Sequence, residues 1–234
     1  MSEIAQNIAK IRAEIAAICQ KINRNPEKIL LLPVTKTKPV SAIISAFEAG
    51  CNAIGENRVQ EVLEKVKELT VQNQAEKLSI HLIGNLQTNK VKQIVGVIDY
   101  LHSLDSLKLA EKLQKKLEEQ NRKLPVLIEV NTSLENQKHG ILPDNAPEFI
   151  KEVRNFPNLE LNGLMTVAKQ SENEGEIRAC FRALRQILEE DNAKNPQFGA
   201  QFKELSMGMS ADWKIAIEEG ATIIRLGSTI FGNR

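Results

Sequence analysis

The 234-residue chain carries 31 Lys and Arg against 30 Asp and Glu, with 42% hydrophobic and 26% charged residues. That is globular composition rather than disorder, and so even a charge balance argues against nucleic acid or an anionic membrane surface as a partner. Any anion site must therefore be local, built by a few placed groups. Cys19, Cys51 and Cys180 are scattered singly, with no CxxC pair and no cluster with histidine, so neither a zinc site nor a disulfide framework is expected, and reduced thiols in the cytoplasm are. The first 20 residues carry Glu3, Lys10, Arg12 and Glu14 in place of a continuous apolar core, so no secretory leader is expected. No run approaches the length of an apolar membrane span.

Taken in chain order, Ile4, Ile8, Ile11, Ile15, Ile18 and Ile22 recur at steps of three and four and predict one amphipathic helix. Pro26 punctuates its end. Residues 29–35 are nearly all apolar, as suits a parallel strand covered on both faces. A helix is expected over 41–49, a strand over 52–54, and a helix bearing Val59, Val62, Leu63, Val66 and Leu69. Further strands are expected over 79–83, 98–102, 125–130, 159–164, 203–206 and 222–226. Between them fall helices over 88–95, 107–120 and 146–153, one bearing Ile177, Phe181, Leu184 and Ile187, and one over 211–219. Eight strand–helix units predict a single (β/α)8 TIM barrel spanning 1–234, with 1–22 as an extra N-terminal helix packed on it. A doubly wound open sheet usually shows a glycine-rich turn after its first strand. Here that turn is Thr35-Lys36-Thr37-Lys38-Pro39.

Active groups of such barrels lie at the C-terminal ends of the strands. That singles out Lys36 after the first strand, Asn57 after the second, Met165 after the sixth, Ser206 to Ser210 after the seventh, and Gly227, Ser228 and Thr229 after the eighth. Barrels often bind phosphate between the loops after strands seven and eight. Ser206-Met207-Gly208-Met209-Ser210 and Gly227-Ser228-Thr229 each combine hydroxyls with a glycine, which lets backbone N–H groups approach an anion. Either loop alone would read as a turn and cap; both together, in these places, read as a phosphate site. A lysine at an inward strand end can form an imine with a carbonyl. Lys36 and Lys38 share one strand parity, and the pattern does not separate them. A phosphate site with an imine lysine suggests pyridoxal 5′-phosphate, or a Schiff-base aldolase acting on a phosphosugar. Arg225, on the eighth strand, is a permanent cation. Beside a pyridine nitrogen it would keep that nitrogen unprotonated and weaken the ring as an electron sink. Asn57 and Met165 could line the ring; His81 reads as a core histidine.

Several segments are together specific: Val34-Thr35-Lys36-Thr37-Lys38-Pro39, Gly55-Glu56-Asn57-Arg58, His81-Leu82-Ile83-Gly84-Asn85-Leu86-Gln87, Lys138-His139-Gly140, Gly163-Leu164-Met165-Thr166, Leu205-Ser206-Met207-Gly208-Met209-Ser210-Ala211-Asp212 and Arg225-Leu226-Gly227-Ser228-Thr229. Through them, nearly end to end, the chain resembles the pyridoxal phosphate homeostasis protein family, barrel proteins related to the N-terminal domain of alanine racemase. Leu82, where an aromatic is common, and Asn85, at a variable position, are small departures. The resemblance implies a pyridoxal phosphate-binding protein of vitamin B6 and amino-acid homeostasis, holding the cofactor as an internal aldimine without evident catalysis. It selects Lys36 over Lys38, sets Arg225 opposite the pyridine nitrogen, places Ser206, Gly227 and Ser228 on the phosphate and puts Asn57 near the ring. With Met165, these form the expected cofactor set; no catalytic residue and no metal are expected.

The alternative is a fold-type III enzyme such as an amino-acid racemase. Racemases that this barrel resembles take a second base, a tyrosine, from an added domain of a partner subunit. Here nine residues follow Arg225, and the single tyrosine, Tyr100, falls in a barrel strand. Binding rather than turnover is therefore expected, although Lys36 itself could act as one base. Pyridoxal phosphate-dependent enzymes are the expected recipients, and a monomer is favoured.

Overall fold

The computed structural model describes residues 2–71 and 78–232. The isoleucine stripe forms α1 (Glu3–Lys21), capped by the Ser2 side chain, which accepts from the Ala5 N–H; Ile8, Ile11, Ile15 and Cys19 are buried on one face. Then follow β1 (Leu30–Pro33), α2 (Val40–Glu48), β2 (Ala53–Glu56), α3 (Val59–Val71), β3 (Ser79–Leu82) and α4 (Val91–Ile94). Next are β4 (Tyr100–Leu104), α5 (Leu107–Glu119), β5 (Leu124–Glu129), α6 (Ala146–Val153), β6 (Leu159–Met165) and α7 (Glu174–Lys194). The chain ends with β7 (Glu204–Ser206), α8 (Trp213–Glu218), β8 (Ile223–Leu226) and α9 (Ser228–Phe231).

All strands pair in parallel, in the order β1-β8-β7-β6-β5-β4-β3-β2. The circle closes where Val34 bridges Gly55 and Thr35 donates its N–H to the Gly55 carbonyl at 3.0 Å. This is a (β/α)8 barrel, as the alternation predicts, with α1 lying against α2, α8 and α9. The apolar strands are buried on both sides. A large core lies between sheet and helices, and a small one inside the barrel holds Leu32, Ala53, Leu127, Met165 and Ile223. The three cysteines are buried, separate thiols. Among the described residues no helix is long and apolar enough to cross a membrane.

Three arginines close helix ends on the face opposite the strand C-termini, where stability rather than chemistry is built. Arg12 donates to the carbonyls of Ala49 and Gly50, Arg24 to those of Ile217 and Ala221, and Arg122 to those of Val95 and Ile98. Carbonyls at helix C-termini have no partner within the helix, so such donors complete them. The same device explains why β4 starts at Tyr100 rather than Ile98. The Ile98 carbonyl goes to Arg122 at 2.8 Å, and the Asp99 carboxylate takes the Ile80 N–H at 2.8 Å.

Candidate functional site

At the C-terminal end of the strands a cavity of about 440 Å³ is lined by Lys36, Asn57, Ser210, Arg225, Gly227 and Ser228, among others. Lys36 sits on the β1–α2 loop, which the neighbouring β2–α3 unit holds at three points. The Thr35 hydroxyl donates to the buried Glu56 carboxylate. The Lys65 ammonium bridges that carboxylate, at 2.5 Å, and the Thr35 carbonyl, at 2.6 Å. The Thr37 N–H donates to Glu61 at 2.8 Å. Thr37 has a φ of 62°, a conformation that costs a non-glycine residue about 1–2 kcal/mol, and the Glu61 bond helps to offset that cost.

The two lysines of this loop part company. The Lys38 ammonium donates to the Phe231 carbonyl at 3.0 Å and so closes the last turn of α9. Lys36 is half-buried in the cavity wall, and its ammonium has no hydrogen-bond or ion-pair partner among the described residues.

Opposite Lys36 two loops meet. Ser210 accepts the Thr229 N–H at 3.4 Å, and the Asp212 carboxylate accepts the Met209 N–H at 2.6 Å, closing the turn before α8. The backbone N–H groups of Ser210, Ala211, Gly227 and Ser228 meet no acceptor among the described residues. Ser210 and Gly227 are half-buried and Ala211 and Ser228 exposed; together their unclaimed N–H groups gather donors at the starts of α8 and α9, an arrangement suited to an anion. Gly208 shapes the turn: its φ is +93°, and a Cβ there would lie 2.6 Å from the Ala216 side chain. On the far wall the Asn57 Oδ1 atom is buried without a partner. Asn57 is pressed by Gly84, where a Cβ would come within 2.2 Å of the Asn57 carbonyl.

Arg225 forms part of the cavity wall and is otherwise buried. Its Nη1 donates to Ser206 Oγ at 2.6 Å and its Nη2 to the Thr166 carbonyl at 2.8 Å. A guanidinium has five N–H donors, so donors remain for a ligand. Burial pulls its pKa down to about 10, with Glu129 and Asp212 opposing that shift; it remains a cation at neutral pH. Burial, with Asp105 adding to it and Arg225 opposing, pushes the Glu129 carboxyl up to about 7. A larger groove of about 770 Å³ lies outside the barrel along α6 and α7, away from the strand ends. Its Arg154 and Asp191 are paired with each other.

A family model for the alanine racemase N-terminal domain matches residues 6–234. A pyridoxal phosphate homeostasis protein of Aquifex aeolicus is 38% identical over 229 residues, covering 98% of this chain and 97% of the relative. The chain belongs to the pyridoxal phosphate homeostasis protein family. Among solved structures, PipY of Synechococcus elongatus with pyridoxal phosphate bound is 33% identical, has a TM-score of 0.84, and is covered over 100% of its length by 98% of this chain. An alanine racemase of Clostridium difficile shares the fold at 13% identity and a TM-score of 0.75; this chain covers 57% of it.

For this family member, five of the seven expected site residues meet at the cavity: Lys36, Asn57, Arg225, Gly227 and Ser228. Ser206 and Met165 do not reach it. The Ser206 hydroxyl is fully buried and engaged by Arg225 and by His102 Nδ1, at 2.9 Å. Met165 belongs to the interior core, and the next inward residue of its strand direction, Val167, lines the cavity instead. Ser210 and Ala211 lie where Ser206 was expected. Their signal in the sequence is their place after, not within, the short seventh strand.

Proposed function

We propose that this chain binds pyridoxal 5′-phosphate in the cavity at the strand ends and holds or delivers it without turning over a substrate. The bound cofactor would supply an aldehyde, which condenses with a primary amine with loss of water, and a phosphate dianion. Lys36 is the amine on hand, because Lys38 is committed to α9. The N–H groups of Ser210, Ala211, Gly227 and Ser228 are the donors for the phosphate. Arg225 offers its spare N–H groups to the ring nitrogen and, as a cation, opposes protonation there. Asn57 contributes its unpaired oxygen beside the ring. A cavity of about 440 Å³ falls within the range of small-molecule sites, roughly 300–1,000 Å³. The observation that carries this reading is the unpartnered Lys36 amine facing unclaimed N–H donors across one cavity. The names of the relatives, and the pyridoxal phosphate in PipY, support it.

Holding rather than turnover is supported by what lines the cavity. Apart from Lys36 and the engaged Lys38, the lining contains, among the described residues, no side chain suited to carry a proton near neutral pH: no Asp, Glu, His, Cys or Tyr. The single tyrosine, Tyr100, stacks on His81 inside the barrel at 4.9 Å. A positive charge at the ring nitrogen further weakens the ring for carbanion chemistry. The natural recipients are pyridoxal phosphate-dependent enzymes. The unpaired buried thiols suit the cytoplasm, and a monomer is the expected state.

The test has three arms. Titrating the cofactor into the protein should give a visible imine band that borohydride bleaches. Cofactor-free enzyme mixed with the loaded protein should regain activity beyond that given by an equal amount of free cofactor. Amino acids should not be racemised, deaminated or decarboxylated at useful rates. Absence of the band would overturn binding, and robust turnover would overturn the holding role.

A further inference from the structure

Beneath the cavity a line of polar side chains crosses the barrel interior. Ser79 Oγ lies 3.1 Å from His81 Nε2, His81 Nδ1 lies 3.0 Å from His102 Nε2, and His102 Nδ1 lies 2.9 Å from Ser206 Oγ, which takes Arg225 Nη1 at 2.6 Å. His81, His102, Ser206 and Arg225 are all buried. Arginine can only donate. Ser206 Oγ is therefore an acceptor toward Arg225; a hydroxyl can accept twice, but among the described residues His102 Nδ1 is the one remaining partner of this buried Oγ, so its single proton is satisfied only there. A neutral His102 then carries its proton on Nε2 and gives it to His81 Nδ1. His81 in turn carries its proton on Nε2, toward Ser79. Each step fixes the next, so with neutral rings the line has a single polarity.

Neutrality follows from the surroundings. His102 faces His81 on β3, Ser206 on β7, Arg225 on β8 and Tyr100 on its own strand, at a centroid distance of 4.9 Å. Among the described residues it meets no carboxylate within hydrogen-bond reach. A proton on His102 would set a second buried cation beside Arg225. Burial holds His81 down to about 4, and burial, His81 and Arg225 hold His102 well below the ordinary range.

We infer that His102, acting through Ser206, is a positioning residue for Arg225, with the polarised line from Ser79 fixing the hydroxyl that orients the guanidinium toward the cavity. The consequence for ligand contact rests on the proposed cofactor reading; the polarity of the line does not. An uncharged acceptor holds the guanidinium plane without adding a further negative charge to those of Glu129 and Asp212, so the cation remains available to the ring. A carboxylate in place of Ser206 would hold the plane equally well but cancel the charge.

The line is tested first in the cofactor-free protein by side-chain nitrogen NMR of the histidines. Both His81 and His102 should show an unprotonated Nδ1 and a protonated Nε2, unchanged from about pH 6 to about pH 8. An Nδ1–H tautomer or a protonated ring at either position overturns the inference. The second test uses the loaded protein. Ser206→Ala should weaken cofactor retention by roughly tenfold, the scale of one hydrogen bond to a charged group, and shift the pH titration of the imine band. His102→Leu should shift it in the same direction by less. If His102 acts through Ser206, the double variant should match Ser206→Ala alone. Additive effects, or an unmoved titration in both single variants, overturn it. The expected tautomers with no visible imine in the wild type would instead defeat the cofactor reading and leave the polarity of the line standing.

Discussion

The barrel mouth and the layer just below it are built from similar polar side chains but differ in how fully they are bonded. In the lower layer Ser79, His81, His102, Ser206 and Arg225 pass one hydrogen bond to the next. At the mouth, the Lys36 amine, the Asn57 oxygen and four backbone N–H groups have no partner among the described residues. For the buried Asn57 oxygen that is costly; the other groups are half-buried or exposed and free to take a ligand in place of water. A satisfied layer can hold something in place; an unsatisfied one is completed by a ligand. The contrast is the basis for proposing the mouth as the binding surface and the layer below as its positioning support.

The largest expected effect breaks the contrast at the mouth: Lys36→Ala should abolish the imine band entirely, as read by absorption after cofactor addition. A band that survives would move the imine to another lysine. Next comes Gly208→Ala, which places a side chain at a φ of +93° and against Ala216. It should destabilise the fold by about 2–4 kcal/mol and weaken binding of inorganic phosphate, measured by thermal unfolding with and without the anion.

Glu129 sharpens the contrast from below. Its folded value of about 7 lies above the ordinary 4.5, so the folded protein holds this proton more tightly than the unfolded chain. Stability from this group is present below about 4.5 and is lost as pH rises through about 7. Relative to wild type, Glu129→Gln should therefore gain about 1–3 kcal/mol above pH 7 and much less near pH 5, by denaturant titration. A pH-independent difference would mean that the carboxyl is solvated. His81 acts in the opposite sense: held down to about 4 from 6.5, it costs stability as pH falls between those values. The smallest effect belongs to Lys38→Ala, which should keep the imine band and lower the melting temperature by about 2–4 °C, the scale of one lost hydrogen bond in a chain of this length.

The barrel was legible because its strands are short apolar runs and its helices carry stripes at steps of three and four, as in residues 29–35 and the isoleucines of α1. The family resemblance then chose Lys36. Composition and spacing alone could not, since Lys36 and Lys38 share a parity. What separates them is a bond from Lys38 to Phe231, 193 residues away. Depth was equally hidden. Alternation gives the direction of an inward residue but not its layer. Met165 and Ser206 are register partners, and Ser206 pairs in turn with Ile223, so all three lie in one layer below the cavity. Met165 and Ser206 therefore both lie outside the cavity lining for one reason. Arg225, one inward step beyond Ile223, has the side-chain length to serve both layers.

The central claim is that Lys36 carries the cofactor while Lys38 does not. The direct measurement is borohydride reduction of the loaded protein followed by peptide mapping by mass spectrometry. A single reduced adduct on Lys36 is the predicted result. An adduct on Lys38 or another lysine, or none at all, would contradict it.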